Sequence, residues 1–319
     1  MSYSLKSIRK KFAEHGVFYT DEKLAKMLKE VIEADGREVT DVYDPTCGSG
    51  NLLAVFPDNV RKWGQELDPV QAEEASKRLV NATIAAGDTL VSPDFTDRKF
   101  KHIVANYPFS VKWIPFSNPR WGNIPCLPPP SKADYAFLLH IISMMDNDGV
   151  AAILCFPGIC YRGQREGQIR KWIIQQNLIA EVRHIPGGFF EDTQVATVML
   201  ILRKGKTTTD ILFVDTENRL QRIVKYEEIE QNDFSLSVTT YVQKEEPKRE
   251  VDPVALEKRA RADVLRRVKA QLEFSSQAVE LHKVLGLPPL PPVSDFVSDL
   301  ITQISPYAKE NRLHLFGDD

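Results

Sequence analysis

Beyond Glu22 to Ile32 (EKLAKMLKEVI), whose apolar groups recur at helical spacing, the chain alternates strand-like and helix-like runs. That alternation is the pattern of βαβ units, and it commits the chain to a parallel sheet with helices packed on it. VTDVYD (Val39 to Asp44) predicts a first strand, VRKWGQELD (Val60 to Asp68) a second, NATIAAGD (Asn81 to Asp88) a third and FKHIVAN (Phe100 to Asn106) a fourth. PVQAEEASKRLV and SKADYAFLLHIISMM (Ser131 to Met145) read as helices, as does the stretch from Arg165 to Gln176. GVAAILCFP reads as a buried strand. IAEVRHI (Ile179 to Ile185) and VATVMLILRK (Val195 to Lys204) are strands joined by PGGFFEDTQ, a connection short enough for antiparallel neighbours. The proline-rich stretch Ser110 to Pro130 has no periodicity and predicts a long loop directly after the fourth strand. Val254 to Leu285 predicts one long charged helix, and LGLPPLPPVSD after it a polyproline-like tether.

Composition narrows the function classes. The chain has 319 residues, 43% hydrophobic and 27% charged, which is ordinary globular usage. No run approaches the roughly 18 apolar residues of a membrane span. The basic start MSYSLKSIRKKF lacks the apolar core of a secretory signal. Cys47, Cys126, Cys155 and Cys160 form no CxxC pair and predict reduced thiols in a cytoplasmic protein, with no metal site. A net charge of -3 and a pI near 6.1 do not suit a free-standing basic nucleic-acid binder.

The chemistry concentrates at the ends of the first four strands, where open α/β sheets bind ligands. DPTCGSG (Asp44, Pro45, Thr46, Cys47, Gly48, Ser49, Gly50) lets backbone approach a ligand closely. Neither a dinucleotide GxGxxG nor a phosphate-binding GxxxxGK[ST] occurs. Glu66 and Asp68 end the second strand and Asp88 the third. Carboxylates there can accept the hydroxyls of a ribose and the amino group of an adenine, although single acids at strand ends are often merely solvated. The fourth strand ends in NYPF. The Asn106 amide oxygen and the Tyr107 carbonyl can accept both hydrogens of a planar amino group. Pro108 stiffens the turn, and Phe109 can stack on a flat ring. An Asx/Pro turn with a core Phe reads the same four residues equally well.

GVFYT (Gly16 to Thr20), DPTCGSG, the Glu66 strand end, the GD of Asp88 and NYPF occur in the order of amino-methyltransferases that place their cofactor segments first. ADYAFLLHIISMMDNDGVAAILCFP, then REGQIRKWIIQQNLIAEVRHIPGGFFEDTQVATVMLILRK, resembles the modification subunit of type I restriction-modification systems. ILFVDT and EIEQNDFSLSVTTYV extend the resemblance, which covers residues 5–285. It implies a Rossmann-like class I methyltransferase: an α/β fold with a mostly parallel twisted sheet, helices on both faces and a C-terminal helical extension. The implied division is an N-terminal helical and cofactor segment (1–38), a catalytic domain (39–215) and a C-terminal extension (216–319).

By the same resemblance, Phe18, Tyr19 and Thr20 hold the methionine end of S-adenosylmethionine and Asp44 to Gly50 wrap it. Glu66 takes its ribose and Asp88 its adenine, while Asn106 to Phe109 hold the target base. The implied reaction is methyl transfer to adenine N6 in DNA, on a base flipped from the duplex. A specificity subunit would dock on the C-terminal helix, and a second modification subunit would complete the complex. Cytosine N4 and protein glutamine are the alternative acceptors, and a catalytically silent scaffold is the alternative of another class.

Two departures stand out. The family motif usually has proline where Tyr107 stands, which frees φ and predicts added bulk near the base. The family's helical N-terminal domain, which helps grip DNA, is expected to be absent or supplied by another protein, because GVFYT begins at residue 16. Asp134 reads either as a lining residue of the cofactor end or as a helix-start acid. Phe189 and Phe190 read as hairpin core before a base stack. The 110–130 loop, with Lys112, Trp113, Arg120 and Trp121, reads equally as a nucleic-acid surface and an ordinary loop.

Overall fold

The structure, a computed structural model, describes residues 22–188, 196–243 and 253–290. Within them the strands form one nine-stranded sheet in the order β3-β2-β1-β4-β5-β7-β6-β8-β9. These are β1 (Asp41–Asp44), β2 (Arg61–Glu66), β3 (Ala82–Ala86), β4 (Phe100–Asn106), β5 (Met145–Cys155), β6 (Ile179–Ile185), β7 (Thr197–Arg203), β8 (Ile211–Asp215) and β9 (Leu220–Val224). The first five run parallel. β7 inserts antiparallel between β5 and β6, as the short connection predicts. β8 then pairs parallel with β6, and β9 turns back antiparallel on β8. β8 and β9 were not among the predicted strands, and β9 lies beyond residue 215, where the sequence reading ended the catalytic domain. Each is five residues long and partly exposed, too short for a periodic signal.

The central strands are apolar on both faces because both are covered. On one face, Val104 of β4 and Val150, Ala152 and Leu154 of β5 pack with Leu24, Ala25, Leu28 and Ile32 of α1 (Glu22–Glu33) and with Leu52 and Leu53 of α2 (Asn51–Ala54). On the other, the alternate residues Ile103, Ala105, Ala151 and Ile153 meet α4 (Asp134–Met144). Every residue of α4 is buried, so the helix is covered all round rather than on one face. α5 (Gln164–Gln175) adds Ile169, Ile173 and Ile174 to the same layer. Between β2 and β3 runs α3 (Pro69–Arg78). It is capped by Asp68, whose side chain accepts the Val70 N–H, and it opens on Pro69, which has no N–H to orphan. Two short helices, α6 (Tyr226–Gln231) and α7 (Val238–Tyr241), follow β9.

The chain divides into two compact units between Lys244 and Glu245. The second holds α8 (Pro253–Val284), a 32-residue helix close to the predicted one. It carries surface pairs such as Arg261 with Glu257, and no helix among the described residues is long and apolar enough to cross a membrane.

Candidate active site

Parallel strands that end at one edge bring their following loops together there, and at this edge lies a cavity of about 420 Å³. Its walls come from four strand ends. β1 contributes Asp44, Pro45, Thr46, Cys47, Gly48 and Ser49. β2 contributes Glu66, Leu67 and Asp68, β3 contributes Gly87, Asp88, Thr89 and Leu90, and β4 contributes Asn106 and Pro108. Asn51 and Leu52 of α2, Gln71 of α3, Val111, Lys112 and Trp113 of the long loop, and Ala133 and Phe137 at the start of α4 complete the lining.

Backbone donors fix the acids. Glu66 accepts the Gly48 N–H on one oxygen (2.8 Å) and the Asp68 N–H on the other (2.9 Å), which locks the β1 and β2 loops together. Gly48 stands at φ 53°, a left-handed conformation that glycine adopts without a Cβ penalty. Asp44 accepts the Thr46 N–H at 2.9 Å and is almost fully buried, and burial, with Glu66 adding its charge, pushes its carboxyl up to about 7. Asp88 accepts the N–H groups of Leu90 (2.8 Å) and Val91 (3.3 Å). Behind it, the Thr89 hydroxyl lies 3.1 Å from His140 Nε2, which is also 3.2 Å from the Tyr43 hydroxyl. Burial pushes His140 down to about 3, so this triangle stays neutral and ties the Asp88 loop to α4 and β1. Four carboxylates thus face one cation, Lys112, among the described lining residues. Such a wall suits a ligand carrying positive charge.

Ten of the predicted site residues share the cavity: Asp44 to Ser49, Glu66, Asp88, Asn106 and Pro108. Gly50 does not line it. At φ 88° it caps α2, and a Cβ there would lie 2.7 Å from Leu79 Cδ1. Tyr107 corrects the sequence reading. Its ring is wholly buried, stacked on Phe137 with centroids 5.0 Å apart, so it adds no bulk to the cavity. Phe109 packs edge-on against Tyr107 at 5.8 Å and is not part of the lining. Asp134 also lies outside the wall. It accepts the Ser110 N–H at 3.0 Å and so anchors the chain just after NYPF. Phe18, Tyr19 and Thr20, and Phe189 and Phe190, fall outside the described residues. Sequence reasoning missed Gln71, Thr89 and Phe137. Gln71 carried a signal, since it stands three residues after the Asp68 cap on the first turn of α3.

The sequence profile of the N-6 DNA methylase family matches residues 3–270. The chain belongs to this family. The MpnII type I restriction enzyme methylase subunit of Mycoplasma pneumoniae is 30% identical over 261 residues, covering 72% of this chain and 48% of that protein. The HindI methylase subunit of Haemophilus influenzae is 29% identical over 223 residues, covering 63% of this chain and 49% of that one. Among solved structures, the methyltransferase subunit of a Streptococcus thermophilus type I restriction-modification system superposes with a TM-score of 0.65 at 29% identity. That superposition covers 71% of this chain and 59% of the other. The chain therefore spans about half the length of these two curated relatives. This member of the N-6 DNA methylase family has the Rossmann-like class I S-adenosylmethionine-dependent methyltransferase fold.

Proposed function

We propose that the chain transfers a methyl group from S-adenosylmethionine to adenine N6 in DNA, as the modification subunit of a type I-like restriction-modification complex. The observation that carries this reading is the convergence of Asp44, Glu66, Asp88 and Asn106, from four consecutive strand ends, on one cavity. The residues fit the cofactor. The acidic wall suits its positive charge, the Gly48 backbone permits close approach, and the Glu66 carboxylate is already oriented by two N–H groups. When bound, S-adenosylmethionine supplies an electrophilic methyl group on a sulfonium.

The protein's own part is orientation and polarisation. The amide oxygen of Asn106 and the main-chain carbonyl of Tyr107 accept the two hydrogens of the amino group, whose lone pair is otherwise delocalised into the ring. As the nitrogen attacks it gains positive charge, and these two dipoles stabilise it more in the transition state than in the ground state. Pro108 brings no competing N–H to the turn. Because position 107 acts through its carbonyl, its buried ring is compatible with catalysis. The base must leave the duplex to reach this edge. With an acidic pI, sequence readout is assigned to a specificity subunit that docks on α8, with a second modification subunit completing the assembly.

Methyl-labelled cofactor given to the chain co-expressed with its specificity subunit, followed by digestion of DNA to nucleosides, tests this. N6-methyldeoxyadenosine that disappears with Asn106→Ala supports the proposal. Label in N4-methylcytosine or in protein glutamine would reassign the acceptor, and no transfer at all would leave the chain a scaffold.

A further inference from the structure

The turn after β4 carries the amino-group acceptors, yet its own residues fix little of its shape. Only Pro108 has a locked φ. Ser110, where the turn ends, stands at φ 54°, a left-handed conformation that a residue with a Cβ adopts only against a penalty. The turn is held from outside. At its start Asn106 is still in the sheet, paired with Leu154 of β5. At its far side stands the first turn of α4, where Asp134 and Phe137, three residues apart, share one face. Phe137 stacks on the Tyr107 ring at 5.0 Å, and Asp134 accepts the Ser110 N–H at 3.0 Å.

Asp134 is a costly group with which to make one hydrogen bond. It has no exposed surface, and its other carboxylate oxygen is buried without a hydrogen-bond partner among the described residues. Such burial opposes folding and pushes the carboxyl up, while the positive charge of Arg162 pulls the other way. An acid in the first turn of a helix gains from the dipole. The dipole does not require that the acid be buried, nor that it reach a backbone N–H 24 residues earlier in the chain.

We propose that Asp134 is a positioning residue for methyl transfer: by holding the Ser110 N–H it fixes the 106–109 turn, and with it the two oxygens that orient the acceptor amino group. This rests on the transfer reading above and names a residue that serves it without lining the cavity. Displacing those oxygens by about 1 Å is enough to slow the reaction up to about 100-fold.

The test compares variants of the chain co-expressed with its specificity subunit. Single-turnover transfer of labelled methyl is followed at saturating DNA, and S-adenosylmethionine affinity is measured by calorimetry on the same complexes. Asp134→Ala is expected to slow transfer up to about 100-fold while the cofactor affinity stays at the wild-type value. Asp134→Asn, whose amide oxygen can still accept the Ser110 N–H, is expected to transfer at close to the wild-type rate. A wild-type rate in Asp134→Ala would overturn the assignment. Asp134→Asn as slow as Asp134→Ala would also overturn it, since the charge and not the hydrogen bond would then matter. A parallel loss of rate and cofactor affinity would do the same, for it marks a general loss of structure. These three outcomes leave the transfer reading intact, whereas no transfer by the wild-type complex would overturn that reading and this inference with it. Should Asp134→Ala fail to fold, Asp134→Leu, which fills the space without an acceptor, decides by the same comparison.

Discussion

Replacing Tyr107 by proline would restore the family's usual motif, and the structure predicts that the protein will not tolerate it well. The ring is fully buried, face-on to Phe137 and edge-on to Phe109. A buried Tyr removes about 150–250 Å² from water. At about 25 cal/mol per Å² that corresponds to an upper bound of roughly 4–6 kcal/mol. Proline refills part of the space, so the expected loss is about 3–5 kcal/mol, the range for truncating a buried aromatic. Tyr107→Phe keeps the ring and removes only a hydroxyl beside the Cys155 thiol, and it should stay within about 1 kcal/mol of wild type. Urea unfolding followed by far-UV circular dichroism measures both, read as a shift in midpoint at constant m-value. A Tyr107→Pro variant as stable as wild type would refute the core assignment of this side chain. It would also restore the view that Tyr107 crowds the target base.

Further predictions follow from the same wall. Since burial raises Asp44 to about 7 from an ordinary 3.8, the folded state holds a proton that the unfolded state has released between those values. Stability of the ligand-free protein should therefore fall as pH rises through that window and level off above it, a trend that thermal melts at several pH values would show and that Asp44→Asn should flatten. A cationic ligand needs the ionised form, so S-adenosylmethionine affinity should weaken about tenfold per pH unit below 7, with about one proton released on binding. Calorimetry in buffers of different ionisation enthalpy checks that stoichiometry, and zero release would contradict it. Lys112→Gln should lower the slope of log affinity against log salt for oligonucleotides by about 1, and an unchanged slope would remove Lys112 from the phosphate path. Gly50→Ala should cost about 1–3 kcal/mol in a melt, because the left-handed turn and the Leu79 contact both oppose a Cβ.

These residues also show what the sequence could and could not convey. β4, β5 and β7 were legible as largely apolar runs, and β1, β2, β3 and β6 from the turn residues and helix-like runs that bound them. β8 and β9 were not, for their partly exposed faces blur the pattern. Asp44, Glu66, Asp88 and Asn106 could be assigned to one edge simply because each ends a parallel strand. The direction of Tyr107 was also there to be read. Ile103, Ala105 and Tyr107 alternate onto the face covered by α4, which leaves position 107 only its carbonyl for the cavity. Trp113 could not be placed, because its position depends on backbone carbonyls of Pro129 and Pro130, sixteen and seventeen residues away, and a loop has no period that announces where it folds back. Asp134 was ambiguous for a similar reason, since only the folded loop brings the Ser110 N–H to it.

The proposed function requires the edge cavity to be the S-adenosylmethionine site. Isothermal titration of S-adenosylmethionine into the full chain at pH 7.5, beside Asp44→Ala, tests it most directly. One-to-one binding is expected in the wild type and its loss in the variant, with the variant's fold confirmed by circular dichroism. Binding that is undiminished in Asp44→Ala, or no binding to the wild type, would contradict it.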